Sequence, residues 1–252
     1  MYLLSVFVLA LGGSMLAPII PYYVLYLGLD MRRYGAINVA SQAAMTLAGL
    51  TLPMLMSLIG YFRGYVVGLL LVSLSRLAYV VSAMAGGSLL AFSLGYVLSS
   101  LRLPVTVASR ATIISKYVES RKRATAMGTV SAVAMLAASL GPYIGSYLYE
   151  RLGRQYLGVF TAALGVTLSS CIAILPLAFK DPTRKELRGR SLRGELRNIV
   201  KVVKRPNVRR ILLMFSYDAF TWSVIGPFAA IYYVRAFNAS PYDLATVNLI
   251  IN

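Results

Sequence analysis

The sequence predicts an all-α, polytopic membrane protein, and three observations carry that class. Hydrophobic residues make up 58% of the 252 positions and charged residues only 13%, whereas a soluble domain carries about 25% charged residues. Mean hydropathy is +0.71, and several apolar runs exceed the roughly 18 to 20 residues needed to cross the hydrocarbon core of a bilayer. The basic residues fall mainly on alternate loops, as membrane topology demands.

Apolar runs at about 3–28, 34–59, 64–86, 88–114, 124–150, 155–179 and 209–236 predict spanning helices. The first has no basic leader and is too long for the apolar core of a signal peptide, so it reads as a span. An eighth helix starts near residue 241, where Ser240-Pro-Tyr-Asp243 supplies a capping serine, a proline at the first helical position and an acid at the third. The sequence stops at Asn252, too soon for that helix to cross, and therefore reads as part of a longer chain. The expected organisation is a six-helix bundle over 1–180, a basic linker over 181–208, and the start of a second bundle over 209–252.

The net charge is +17, and its position decides its meaning. Twelve of the 25 basic residues lie between Lys180 and Arg210. A basic block beside spans marks the cytoplasmic side and attracts anionic lipid; nucleic acid is the weaker reading. With the N-terminus inside, the inside loops hold seventeen basic residues and the outside loops five, Arg32, Arg33, Arg151, Arg154 and Arg235. The expected location is the cell membrane, with the N-terminus and the 181–208 linker cytoplasmic. Within the linker, Leu192, Leu196, Ile199, Val200 and Val203 recur at helical spacing, which fits either an amphipathic helix on the membrane surface or a solvated basic linker.

A weak internal repeat relates Tyr22–Asn38 to Tyr232–Asn248 at an ungapped offset of 210 residues. Each passage joins the end of one span to the start of the next, and both share Tyr-Tyr-Val and the final Asn. Parallel repeats of six spans are one known transporter plan.

The fifth run carries the most specific pattern. Gly128, Ala137, Gly141-Pro142 and Gly145-Ser146 stand at the spacing Gly-x8-Ala-x3-Gly-Pro-x2-Gly-Ser. This resembles motif C of the major facilitator superfamily, Gly-x8-Gly-x3-Gly-Pro-x2-Gly-Gly, found in fifth helices of its antiporter branches. Arg123-Ala-Thr-Ala-Met-Gly128 resembles the family's entry into that helix, and GGSMLAPIIPYYVLYLG in the first run resembles its proline-rich passage. The resemblance extends over all 252 residues. It implies a major facilitator-type bundle, with six helices of the first half followed by the start of the second, and transport by antiport or efflux. Small residues on one helix face let a neighbouring backbone approach closely, and a proline inside a membrane helix is tolerated where neighbours re-satisfy the freed carbonyl. The family's motif A departs here: Pro53–Gly64 occupies its place, and Gly60 stands at the position of its aspartate.

Charges at bilayer depth cost about 2.5–3.5 kcal/mol on insertion scales and point to function. Arg102 in the fourth run has Ser99 and Thr106 on the same face; Asp218 in the seventh has Thr221 and Trp222 nearby. The family fold implies that the first, fourth and seventh helices line a central cavity. At 1.5 Å per residue Arg102 sits about 20 Å from the cytoplasmic end and Asp218 about 14 Å. Both are candidates for substrate binding, with Asp218 the candidate for proton coupling; snorkelling and a static ion pair are the alternatives. Arg76, midway along the third run, is expected to be structural and peripheral. Asn38 and Gln42 on the second run are further cavity candidates or interhelical hydrogen-bonding groups. Tyr22 and Tyr26 on the first are cavity candidates or an aromatic belt.

Function classes narrow accordingly. With no histidine and one cysteine, Cys171, the chain offers no zinc site, haem attachment or disulfide framework, and no cofactor is expected. No Walker A pattern and no grouped nucleophile, base and orienter is recognisable, so an enzyme is not expected. The leading expectation is a secondary transporter that moves a small molecule by alternating access, with protons or another ion as the coupling partner. An uptake permease of the same fold is the alternative within transport, and a seven-helix receptor the alternative of another class.

Overall fold

The computed structural model describes residues 1–179, 197, 201 and 204–251. The 181–208 linker, with its amphipathic pattern, lies almost wholly outside the described residues, as do the side chains of Asp218 and Trp222.

The described residues form an antiparallel helical bundle with no strand. In chain order the helices are α1 (Tyr2–Ser14), α2 (Ile20–Tyr26), α3 (Met31–Ile59), α4 (Tyr61–Met84), α5 (Leu89–Ser100), α6 (Arg102–Tyr117), α7 (Arg123–Arg151), α8 (Tyr156–Phe179), α9 (Pro206–Phe237) and α10 (Pro241–Ile251), with a 3-10 turn at Ser120–Lys122 before α7. Tyr61–Met84, Leu89–Tyr117, Ser120–Arg151 and Tyr156–Phe179 are each long and apolar enough to cross a membrane by length and composition.

The expected runs become helices at nearly the expected limits, but two of them are interrupted. The first run divides into α1 and α2, and the fourth into α5 and α6 at Leu101. Proline explains both breaks, because it lacks an N–H and its ring crowds the carbonyl four residues earlier. Pro18 cannot bond the Ser14 carbonyl, which instead accepts from Ala17 N–H at 3.0 Å, a tighter 3-10-type turn. Pro104 likewise cannot bond Ser100, where α5 ends. Proline alone does not break a helix here, since α7, α8 and α9 continue through Pro142, Pro176 and Pro227.

Apolar burial occurs as two main clusters, one at each end of the bundle. One end is rich in tyrosine: Tyr23, Tyr34, Tyr79 and Tyr149 pack with Phe92, Phe160 and Ile231. The opposite end joins Leu9, Phe62, Tyr65, Leu69 and Ile174 around Cys171. Lipid is as apolar as leucine, so contact between spans depends on close packing and interhelical hydrogen bonds rather than on water exclusion. Ser5 and Ser170 show this on α1 and α8. Their hydroxyls lie 3.0 Å apart, and each also donates to the other's carbonyl, at 3.1 and 2.9 Å.

The motif C stripe of α7 faces the end of α1. Ala137 and Ser146 are buried. A Cβ on Gly141 would overlap Ser14 Oγ and lie 2.7 Å from Leu11 O, and one on Gly145 would overlap Met15 O. The two helices thus meet backbone to backbone where α1 stops. Gly128 meets nothing within 4 Å and takes no part in this contact.

Motif A's altered position has an equally local cause. Gly60 alone joins α3 to α4, at φ +99° and ψ 152°, a region essentially reserved for glycine. An aspartate is poorly suited to that backbone.

Candidate functional site

The interruptions of the first and fourth spans face one cavity of about 650 Å³. Its wall includes Gly13, Leu16 and Ala17 at the α1–α2 break, and Ser100, Arg102 and Leu103 at the α5–α6 break. Short or proline-interrupted spans at corresponding positions are the structural signature of a transporter binding site. Asn38, Ser41 and Gln42 approach from α3, and Gly226, Pro227 and Ala230 from α9.

Two arginines converge on Gly13. Arg76, 3% exposed on α4, donates from Nη2 to the Gly13 carbonyl at 3.3 Å. Its guanidinium lies over the Tyr79 ring, 5.7 Å from the centroid, where a cation is drawn to the aromatic face. Its Nε is buried without a hydrogen-bond partner. Arg102 comes from the start of α6, and its Nη1 fills the space that a Gly13 side chain would take. Glycine at position 13 is what lets the Arg102 guanidinium reach this spot. The sequence-based expectation of a peripheral Arg76 is corrected: its side chain lines the cavity. The signal was present as a charged residue at mid-span with Tyr79 three residues on, the spacing of neighbours on one helix face.

Arg102 also lines a second cavity of about 350 Å³, bounded by α1, α6 and α7. Arg110, two turns farther along α6, borders that space with Thr106 and Ser131. A line of arginines therefore runs from the central cavity toward the opposite end of the bundle.

The polar wall is fixed by hydrogen bonds between spans. Tyr34 and Tyr96 share a hydroxyl contact at 3.1 Å, and Ser100 Oγ donates to Ser41 O at 3.0 Å across the α5 break. Tyr34 also packs edge-on against Phe228 of α9, with centroids 5.8 Å apart.

The two passages of the internal repeat occupy equivalent places. Asp30 caps α3 by accepting from Arg33 N–H at 2.7 Å. Ser240, the residue aligned with Asp30, caps α10 in a reciprocal box: Asp243 N–H donates to Ser240 Oγ at 3.2 Å, and Ser240 N–H to Asp243 Oδ2 at 2.7 Å. The aligned asparagines, Asn38 and Asn248, both line the central cavity.

Of the remaining sequence candidates, Tyr22 donates its hydroxyl to the Ala239 carbonyl and ties the first span to the α9–α10 turn. Tyr26 is 57% exposed and stacks on Tyr23, 5.7 Å between centroids, in the aromatic cluster rather than in the cavity. The described α9 residues of the cavity wall begin at Gly226, eight positions beyond Asp218 and so about 12 Å along the helix axis.

No curated protein matches the chain. The Major Facilitator Superfamily model matches residues 2–251, almost the whole sequence. With interrupted first and fourth spans around a polar cavity, the chain belongs to the major facilitator superfamily of membrane transporters.

Proposed function

We propose that the protein is a secondary active transporter that moves a small molecule by alternating access, in the direction of efflux or antiport. Membership of the superfamily removes the seven-helix receptor from consideration. The observation that carries the reading is the central cavity, which lies where two proline-interrupted spans face α3, α9 and α10. Contacts of Tyr22 with Ala239 and of Tyr143 with Thr246 link the first six spans to the later helices at the tyrosine-rich end. That arrangement suits a bundle closed at one end. The orientation set by the basic loops makes the closed end the external one.

The motif C spacing favours exchange over uptake, and the dense α1–α7 contact at Gly141 and Gly145 supports a fixed seal beside the site. Of the chain's eight acidic residues Asp218 is the one deep in an expected span, and we assign it the proton-coupling role.

Membrane vesicles from cells expressing the protein test this directly. Radiolabelled glucose, leucine, benzoate and tetraphenylphosphonium represent neutral, zwitterionic, anionic and cationic solutes. An interior-acid gradient is expected to drive accumulation of at least one probe well above vesicles lacking the protein. Accumulation under an exterior-acid gradient instead would establish the uptake alternative. No accumulation of any probe under either gradient overturns the transport reading.

A further inference from the structure

We infer that the central cavity binds an organic oxyanion, a carboxylate or phosphoryl group on a small partly apolar body. The inference rests on the transport reading only for its purpose, since the site itself is read from geometry. Arg76 and Arg102 meet on the same glycine. Like charges placed together repel, and arginine cannot relieve the repulsion by losing its proton. No carboxylate pairs with either among the described residues. By sequence, seven of the eight acidic residues fall between the expected spans or at their ends, leaving Asp218 as the one deep in a span. One carboxylate cannot neutralise two guanidiniums, wherever its side chain points.

Arg76 is buried with Nε unpartnered, so one donor of the site remains to be satisfied. A guanidinium presents a planar fork that matches the two oxygens of a carboxylate or phosphate. The rest of the wall fits an uncharged body: Leu16, Ala17 and Ile20 are apolar, and Tyr34 and Tyr96 add hydroxyls. Arg102 borders both cavities and Arg110 the second, so the positive lining continues from the site toward the opposite end. A cationic substrate would meet repulsion at each stage, and a neutral one would leave the paired arginines uncompensated.

Four ring compounds of similar size separate these cases: benzoate, phenyl phosphate, benzylammonium and benzyl alcohol. Binding of each radiolabelled probe to the purified chain in detergent is measured by scintillation proximity, with empty micelles as the blank. Benzoate or phenyl phosphate is expected to bind at least tenfold more tightly than the other two; which of them binds identifies the oxyanion. Arg102→Gln is expected to lower that affinity at least tenfold, and Arg102→Lys to recover part of it by restoring the charge without the fork. Arg76→Gln should act similarly; because Arg76 is buried, its folding is checked by melting temperature, and Arg102→Gln decides if Arg76→Gln does not fold. Equal binding of all four probes, preference for benzylammonium or benzyl alcohol, binding of none, or unchanged anion affinity in Arg102→Gln overturns the inference. Anion binding to the purified chain without vesicle transport would leave the site standing and remove the transport reading. Vesicle transport of glucose or tetraphenylphosphonium without anion binding would do the reverse.

Discussion

Gly145 of α7 lies so close to Met15 that a side-chain carbon on the glycine would overlap the Met15 carbonyl oxygen. A backbone atom cannot step aside as a flexible side chain can, so α7 itself would have to move. Gly145→Ala is therefore expected to destabilise the protein by about 1–3 kcal/mol, the usual cost of overpacking. Gly128→Ala, on the same helix but with open space around it, should be neutral or mildly stabilising, because alanine favours helix. Fluorescence-detected thermal unfolding in detergent reads both. Equal effects of the two substitutions would show that α7 does not rest on the α1 terminus.

The single-residue connection at Gly60 makes a second demand on the backbone. Its φ of +99° is unfavourable for any side chain. Gly60→Asp, which reinstates the aspartate of the family's motif A, is expected to lose about 1–3 kcal/mol, and Gly60→Ala a similar amount. The matching losses identify the cause as backbone strain rather than charge. If Gly60→Asp melts at or above the parent temperature, the connection has a different conformation.

These two sites show how unevenly the structure was written in the sequence. The limits of the spans were readable because a bilayer requires long apolar runs and polar turns between them, and α4, α7 and α8 begin and end close to expectation. The breaks were not readable: seven prolines lie within the runs, and only Pro18, Pro21 and Pro104 accompany interruptions, while the helices continue through Pro53, Pro142, Pro176 and Pro227. Which helix stays continuous depends on packing, as at Gly141 and Gly145, and hydropathy carries no record of that. The site was legible in part. Arg102, Asn38 and Gln42 line the cavity, but the direction of Arg76 and Tyr26 depends on helix rotation, which an almost uniformly apolar span leaves unspecified.

Tyr22 offers a way to loosen the tyrosine-rich end. Its hydroxyl donates to the Ala239 carbonyl, joining the first span to the turn before α10. Tyr22→Phe removes that bond and little else, a change of about 0.5–1.5 kcal/mol. In a Cys171→Ser background, which lacks the chain's one cysteine, a cysteine introduced by Ser41→Cys at the cavity wall should react faster with a membrane-impermeant maleimide applied from the tyrosine-rich side once Tyr22→Phe is added. An unchanged rate would mean that this contact does not hold the end closed.

Asp218 can be tested for coupling apart from binding. Asp218→Asn keeps the size of the side chain and removes its charge. Exchange of labelled for unlabelled substrate at equal pH should persist, whereas accumulation driven by a proton gradient should fall at least tenfold. Gradient-driven accumulation that survives the substitution assigns coupling to another group.

Pro104 poses the clearest opposition between stability and function. Its missing N–H leaves Ser100 at the end of α5, and the chain resumes as α6 at Arg102. Pro104→Ala restores a donor for the Ser100 carbonyl and removes the clash of the proline ring, effects that favour a continuous helix by up to about 3 kcal/mol. The melting temperature is expected to rise. A continuous helix would also turn Arg102 away from Gly13, because the break sets the angle between the two segments. Benzoate or phenyl phosphate affinity, whichever probe the parent binds, should therefore fall at least tenfold while stability improves. A variant that gains stability and keeps its anion affinity would show that the break is not what aims Arg102 into the cavity.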